Sequence, residues 1–167
     1  MVAGEYQIGK LALAEDAERI VQFLLSDSSF DDTRYTPGEL AHFSELPYQA
    51  LEGKLIFWYA VNEAGDIIAI NSVAENEQLT SGYSWDYIVV HRDYRKTGIA
   101  SSLIAVMNDY LVKVRARYIV TYTCDLPEYN GIRRLFERSG FSLVGRCPDY
   151  YFDGEDRLIY YRKLSGE

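Results

Sequence analysis

The sequence predicts one α/β domain spanning residues 1–167, with two helices, an antiparallel meander, then a β-α-β-α-β-β run. Three observations lead there. The apolar period switches from helical to strand-like after "FDDTRYTPGE" and back again near Gly98. A turn signal, "EAGD", separates two β-rich runs. An amphipathic stretch then lies between "YSWDYIVV" and "RYIVTYTC". A chain of 167 residues with 48% apolar and 25% charged residues is long enough to bury a real core.

Taken in order, Ala14 opens a helix whose predicted inner face is Ala17, Ile20, Val21 and Leu24, with Glu15 and Asp16 near its positive end. A short second helix is expected after Pro37. "KLIFWYAVN", "IIAINSVAEN" and "YSWDYIVV" read as strands, the last entered through the Ser81-Gly82 turn. The next helix, from about Gly98 to Arg115, carries a stripe of Ile99, Leu103, Val106, Tyr110 and Val114. "RYIVTYTC" is a strand and "PEYNGIRRLFERSG" a helix with Ile132, Leu135 and Phe136 inward and Gly140 as its stop. "FSLVGRC" and "RLIYYRKL" are the closing strands.

Bulk properties exclude several classes. A net charge of −8 argues against a nucleic-acid partner and mildly favours an amine-bearing one. Cys124 and Cys147 lack metal-site spacing, so neither zinc nor a disulfide scaffold is expected, and a reducing cytoplasm fits. The N-terminus shows no signal-peptide pattern, and the run "LIFWYAV" is too short to span a membrane. Of the 15 tyrosines, most suit half-buried strand positions and some a pocket wall.

The chemistry concentrates in "YRKTGIASSLI", where a strand turns into a helix. Unpaired N–H groups at a helix start suit an anion, and small residues at Gly98 and Ala100 let a phosphate approach the backbone. Arg92, Arg95 and Lys96 add positive charge. Neither GxxxxGK[ST] nor GxGxxG is present. An ordinary strand-to-helix turn with a solvated basic rim remains the alternative.

"VVHRDYRKTGIASSLI" resembles the acyl-CoA-binding signature of the GNAT superfamily of N-acyltransferases, [Q/R]-x-x-G-x-[G/A], matched by Arg95, Gly98 and Ala100. "YNGIRRLFERSGF" is similar to the family's asparagine-bearing helix, and the element order agrees from about residue 6 to 164. The resemblance implies a mixed, mostly antiparallel sheet of six to seven strands with about four helices. It also implies a splay between "YSWDYIVV" and "RYIVTYTC", where acetyl-CoA is the co-substrate and no metal is needed. Pantetheine would pair with Ile88, Val89 and Val90. The pyrophosphate would sit on N–H groups of Arg95, Lys96, Thr97, Gly98, Ile99, Ala100 and Ser101, and Asn130 would touch the pantetheine or adenine end. Lys96 stands where the family often has glycine, and Tyr129 occupies the usual place of Asn130.

The implied reaction transfers acetyl to a primary amine, on a small molecule or a peptide. Transfer needs a base, an oxyanion donor (by resemblance near Val89 or Val90) and a route for the thiolate's proton. Asp86 is the first choice of base and Asp125 the second, with Glu75 and Glu77 behind. Phe136 fills the family's acid-tyrosine position and cannot donate, leaving Tyr122, Tyr129 or water. Cys124 as nucleophile lacks a base beside it. Tyr150 and Tyr151, in "CPDYYFDGEDRLIYY", are candidate acceptor walls, with Asp149, Asp153 and Glu155 attracting a cation. An idle acyl-CoA-binding module and a phosphate-binding domain are the competing readings, and aromatic strands such as "LIYYRKL" are a candidate homodimer edge.

Overall fold

The computed structural model describes residues 4–32 and 34–164; residues 1–3, 33 and 165–167 lie outside it. Among the described residues there are seven strands and four helices. They are β1 (Tyr6–Lys10), α1 (Ala14–Leu24), α2 (Pro37–Leu51), β2 (Ile56–Asn62), β3 (Ile67–Glu75), β4 (Gly82–Val90), α3 (Ile99–Lys113), β5 (Tyr118–Cys124), α4 (Asn130–Arg138), β6 (Ser142–Phe152) and β7 (Glu155–Lys163). The fold is mixed α/β, as the sequence predicts, with a strand, β1, that the periodicity did not reveal. Five residues of alternating polarity carry too little signal, and its pairing with β2 (Tyr6↔Asn62 to Lys10↔Trp58) is long-range.

The chain divides into two compact units, Met1–Ala74 with Tyr87–Tyr110, and Glu75–Asp86 with Leu111–Glu167. The strand order is β1-β2-β3-β4 in the first and β4-β5-β7-β6 in the second, the end of β4 belonging to one and its start to the other.

In the first unit β2 pairs antiparallel with β1 and β3. The "EAGD" turn closes as expected: Asn62 N–H donates to Asp66 O at 3.1 Å, and Asp66 N–H to Asn62 Oδ1 at 2.9 Å. α1 buries Ala17, Ile20, Phe23 and Leu24. Phe23 takes the inner position expected of Val21, which is only half-buried. Leu46, Phe57, Ile70 and Val89 join the same core. Each such side chain contributes about 1.5–3 kcal/mol by leaving water. α2 is a full 15 residues rather than short, started by a capping box in which Glu39 N–H donates to Thr36 Oγ1 and Thr36 N–H to Glu39 Oε2. α3 buries Ile99, Leu103, Ile104, Met107 and Leu111. Its stripe is therefore turned from the expected one, since Val106, Tyr110 and Val114 are only half-buried. Both alternatives follow helical spacing, so periodicity alone did not choose between them.

In the second unit the parallel β4–β5 ladder runs from Gly82↔Tyr118 to Trp85↔Thr121, while β5–β7 and β6–β7 are antiparallel. A Cβ on Gly82 would stand 2.1 Å from the Tyr118 ring, so only glycine fits beneath it. Phe136 is 3% exposed and packs against Trp85 (5.4 Å between ring centroids), Phe141 (5.9 Å) and Tyr160 (5.4 Å). It is a core residue, which disposes of it as a proton donor. β6 continues five residues past Cys147 to Phe152, through an irregular register, and turns at Asp153-Gly154 into β7.

Candidate active site

β4 ends at Val90, and a 3-10 turn (Arg92–Tyr94) leads to the predicted anion loop. His91 caps that turn, its Nδ1 accepting from Asp93 N–H at 3.2 Å. Lys96 and Gly98 both adopt left-handed backbone, φ +62° and +89°. Gly98 is exposed, with open space where a Cβ would stand, and Ser102 N–H donates to Gly98 O at 3.1 Å to begin α3. Ile99, Ala100 and Ser101 thus fill the positions whose N–H groups an α-helix leaves without an internal partner. Left-handed Gly98 and an uncovered helix start fit a pyrophosphate, the group an acyl-CoA presents. Thr97 donates through Oγ1 to Tyr94 O, fixing the loop from within.

The loop's arginines do something the sequence did not disclose. Arg95 donates through Nη1 to both oxygens of Asp31 (2.9 and 2.7 Å), through Nη2 to Ser29 O (3.0 Å) and through Nε to Val90 O (3.2 Å). Arg92 also approaches Asp31, Nη2 to Oδ1 at 3.7 Å. The Arg95 side chain is a tie between the loop and the segment after α1, and exposed Lys96 supplies the outward charge. Asp31 lies 64 residues away in sequence, so no local pattern announces the pair. Phe30 and Tyr35 pack on Phe43 (4.9 and 5.9 Å), itself 5.3 Å from Tyr87 of β4.

Strand alternation sorts the oxyanion candidates. His91 N–H donates to Ile68 O at 2.7 Å, so Val89 N–H points to the same side and Val90 N–H to the opposite one. Ile88 and Val90 are half-buried and Val89 is buried.

In the second unit Asp86 is half-buried and accepts from Ser84 Oγ at 2.9 Å. Asp125 is engaged differently. Its Oδ1 accepts from Asp156 N–H (2.9 Å) and its Oδ2 from Arg146 Nη1 (3.3 Å). Arg146 also pairs with Asp156 at 2.6 Å, and Asp156 accepts Asp149 N–H at 2.9 Å. The Asp149 N–H and then the Arg146 guanidinium hold the Asp156 carboxyl below the usual carboxylate range. Asp125 therefore sits in the scaffold of the β6–β7 hairpin. Glu75 is likewise a turn ligand, accepting from Ser81 N–H at 2.8 Å. Asn130 starts α4, its Oδ1 accepting from Arg133, which also donates to Cys124 O (2.6 Å) and Leu126 O (3.0 Å). Burial pushes the Cys124 thiol up, which keeps it protonated and a poor nucleophile.

Tyr150 and Tyr151 meet edge-on, 5.1 Å between ring centroids. Arg157 lies over the Tyr122 ring at 3.6 Å and the Tyr150 ring at 4.5 Å, a residue no sequence motif marked. Among the described residues no cluster of three His, Cys, Asp or Glu side chains is placed to hold a metal, and no helix is long and apolar enough to cross a membrane.

Fold and loop together define an acyl-CoA-binding α/β class. A family model described as an acetyltransferase (GNAT) domain matches residues 53–143, more than half of the 167-residue chain. The chain belongs to the GNAT family of acetyltransferases, and it is an acetyl-CoA-dependent acetyltransferase. No curated protein matches the sequence. Among solved structures, a Desulfovibrio desulfuricans chain described as a GNAT-family acetyltransferase superposes with TM-score 0.84 at 21% identity, covering 96% of this chain and 100% of its own. The Escherichia coli ribosomal-protein-S18-alanine N-acetyltransferase gives TM-score 0.75 at 15% identity, covering 96% and 95%. An aminoglycoside 6'-N-acetyltransferase complexed with coenzyme A gives 0.75 at 14%, covering 94% and 96%. At such identities the likeness is one of fold.

Proposed function

We propose that this chain, as a single catalytic domain, moves the acetyl group of acetyl-CoA directly onto a primary amine. The observation that carries the donor half is left-handed, uncovered Gly98 at the start of α3. The acceptor half is supported by the fold neighbours, one named for an alanine of a ribosomal protein and one for an aminoglycoside, both amines.

Acetyl-CoA supplies a thioester carbonyl with a thiolate leaving group. The main-chain N–H groups of Ile99, Ala100 and Ser101 hold its pyrophosphate, beside the backbone of Arg95 to Gly98. Ile88 to Val90 offer backbone to the pantetheine, and Asn130 a further polar contact. Val90 N–H, turned opposite to the β3-directed His91 N–H, is the better oxyanion donor than Val89. Asp86 accepts the amine proton, directly or through water, as the C–N bond forms and the C–S bond breaks. The departing thiolate takes its proton from Tyr122, Tyr129 or solvent. Asp125 is the weaker base candidate because both its oxygens already accept hydrogen bonds. Tyr150 and Tyr151 wall the acceptor.

The test is Asp86→Asn. Turnover should fall about 10²–10⁴-fold while acetyl-CoA binding is unchanged. Equal loss of binding and turnover removes Asp86 as the base. Stabilisation by coenzyme A above ATP and NAD in thermal melts checks the donor.

A further inference from the structure

Two of the three arginines of the β6–β7 hairpin, Arg146 and Arg157, are treated very differently. Arg146 is matched to two carboxylates, Asp125 at 3.3 Å and Asp156 at 2.6 Å. Arg157 has no carboxylate partner among the described residues, although it is only half-exposed. Its Nε, like that of Arg162 on the same strand, is buried and makes no hydrogen bond. A guanidinium without an acceptor for a buried N–H is costly and needs an explanation.

Its surroundings supply one. Tyr122 at 3.6 Å and Tyr150 at 4.5 Å both lie against the cation, and its N–H groups remain the hydrogen-bonding part. Tyr151, edge-on at 5.1 Å, steadies Tyr150. Arg157 stands in register between Cys124 of β5 and Cys147 of β6, so it is carried on paired backbone on both sides. An arginine held against two aromatic rings, on paired strands, with no ion partner among the described residues, is preorganised for an anion, and a planar carboxylate matches its fork. The tyrosines on both sides are acceptor-wall and proton-donor candidates already, which places the anion on the acceptor.

We infer that Arg157 selects the acceptor by binding its carboxylate, so the substrate carries both a primary amine and a carboxylate, as a free amino acid does. This rests on the amine-acetylation reading above and narrows it. Arg157 is a specificity residue and takes no part in the acetyl transfer itself.

The probes are free amino acids, each paired with its own C-terminal amide, given to the enzyme with acetyl-CoA. For amino acids that react, kcat/KM should favour the acid over the amide by about tenfold or more, because a site built for a charged hydrogen-bonding group rejects the analogue lacking it. Arg157→Gln should erase that preference mainly through KM for the acid, leaving the amide rate and the KM for acetyl-CoA unchanged. Arg157→Lys should keep part of it. Equal rates for acid and amide with wild-type enzyme overturn the inference whatever the variants do, and so does an acid preference that survives Arg157→Gln. Acetylation confined to amines without carboxylates overturns this inference alone. No acetylation of any amine, with or without a carboxylate, overturns the amine reading and this inference together.

Discussion

Arg95 and Arg157 make an instructive pair. Every branch of the Arg95 guanidinium is spent on protein acceptors: Asp31, Ser29 O and Val90 O. Arg157 is spent on none among the described residues and lies against two rings. A motif-matching arginine has thus become a structural tie that positions a loop, while Arg157, outside any motif, has bonds left to make among the described residues. Residue type and motif membership do not reveal which role a cation plays; the partners do.

Several changes sharpen that contrast. The largest effect is expected at the proposed base, through the Asp86→Asn loss of turnover described above. Next comes the loop itself. Gly98→Val forces a branched side chain into φ +89° at the proposed phosphate site. Binding of coenzyme A, followed calorimetrically, should weaken by about a hundredfold, roughly 2.7 kcal/mol. Unchanged affinity would show that the helix start is not the anion site.

Gly82→Ala probes the scaffold of the other unit. The Tyr118 ring must move, and overpacking of that kind costs about 1–3 kcal/mol. Tm should fall by about 2–4 °C for each kcal/mol lost. Breaking the Arg95 tie by Asp31→Asn should be milder, because Asp31 is 70% exposed and such pairs are worth about 1 kcal/mol or less. The KM for acetyl-CoA should rise a few-fold with kcat at saturation unaltered. A fall in kcat instead would assign the pair to chemistry rather than positioning.

The smallest effect concerns acid. The folded pKa of Asp156 lies below its unfolded value, so its contribution to stability is present above the unfolded value of about 4. It is lost as pH falls through the lowered folded value. Asp156→Asn should make the decline of stability below about pH 4 shallower in acid melts.

Legibility in the sequence divides along the same line as the two arginines. Element order, the "EAGD" turn and the strand-to-helix loop were readable because each is local: period, turn residues and small side chains lie within a few positions. β1 was missed because its signal is its partner, and β6 was cut short because its register shift past Cys147 interrupts the alternation. The Asp31–Arg95 tie joins positions 64 apart, and the Tyr122–Arg157–Tyr150 stack joins three strands. Such pairings are set by tertiary packing. The same limit hid the engagement of Asp125, the second-choice base, by Arg146 and Asp156.

The most direct measurement of the central claim is mass spectrometry after incubating the purified protein with acetyl-CoA carrying an isotopic label in the acetyl group and with a panel of amines. The panel spans amino acids, polyamines, aminoglycosides and peptides with free N-termini. Labelled acetyl should appear on the primary amine of at least one class, with stoichiometric release of free thiol. Thiol release with label on oxygen or sulfur, or no transfer to any amine while acetyl-CoA binds, would contradict it.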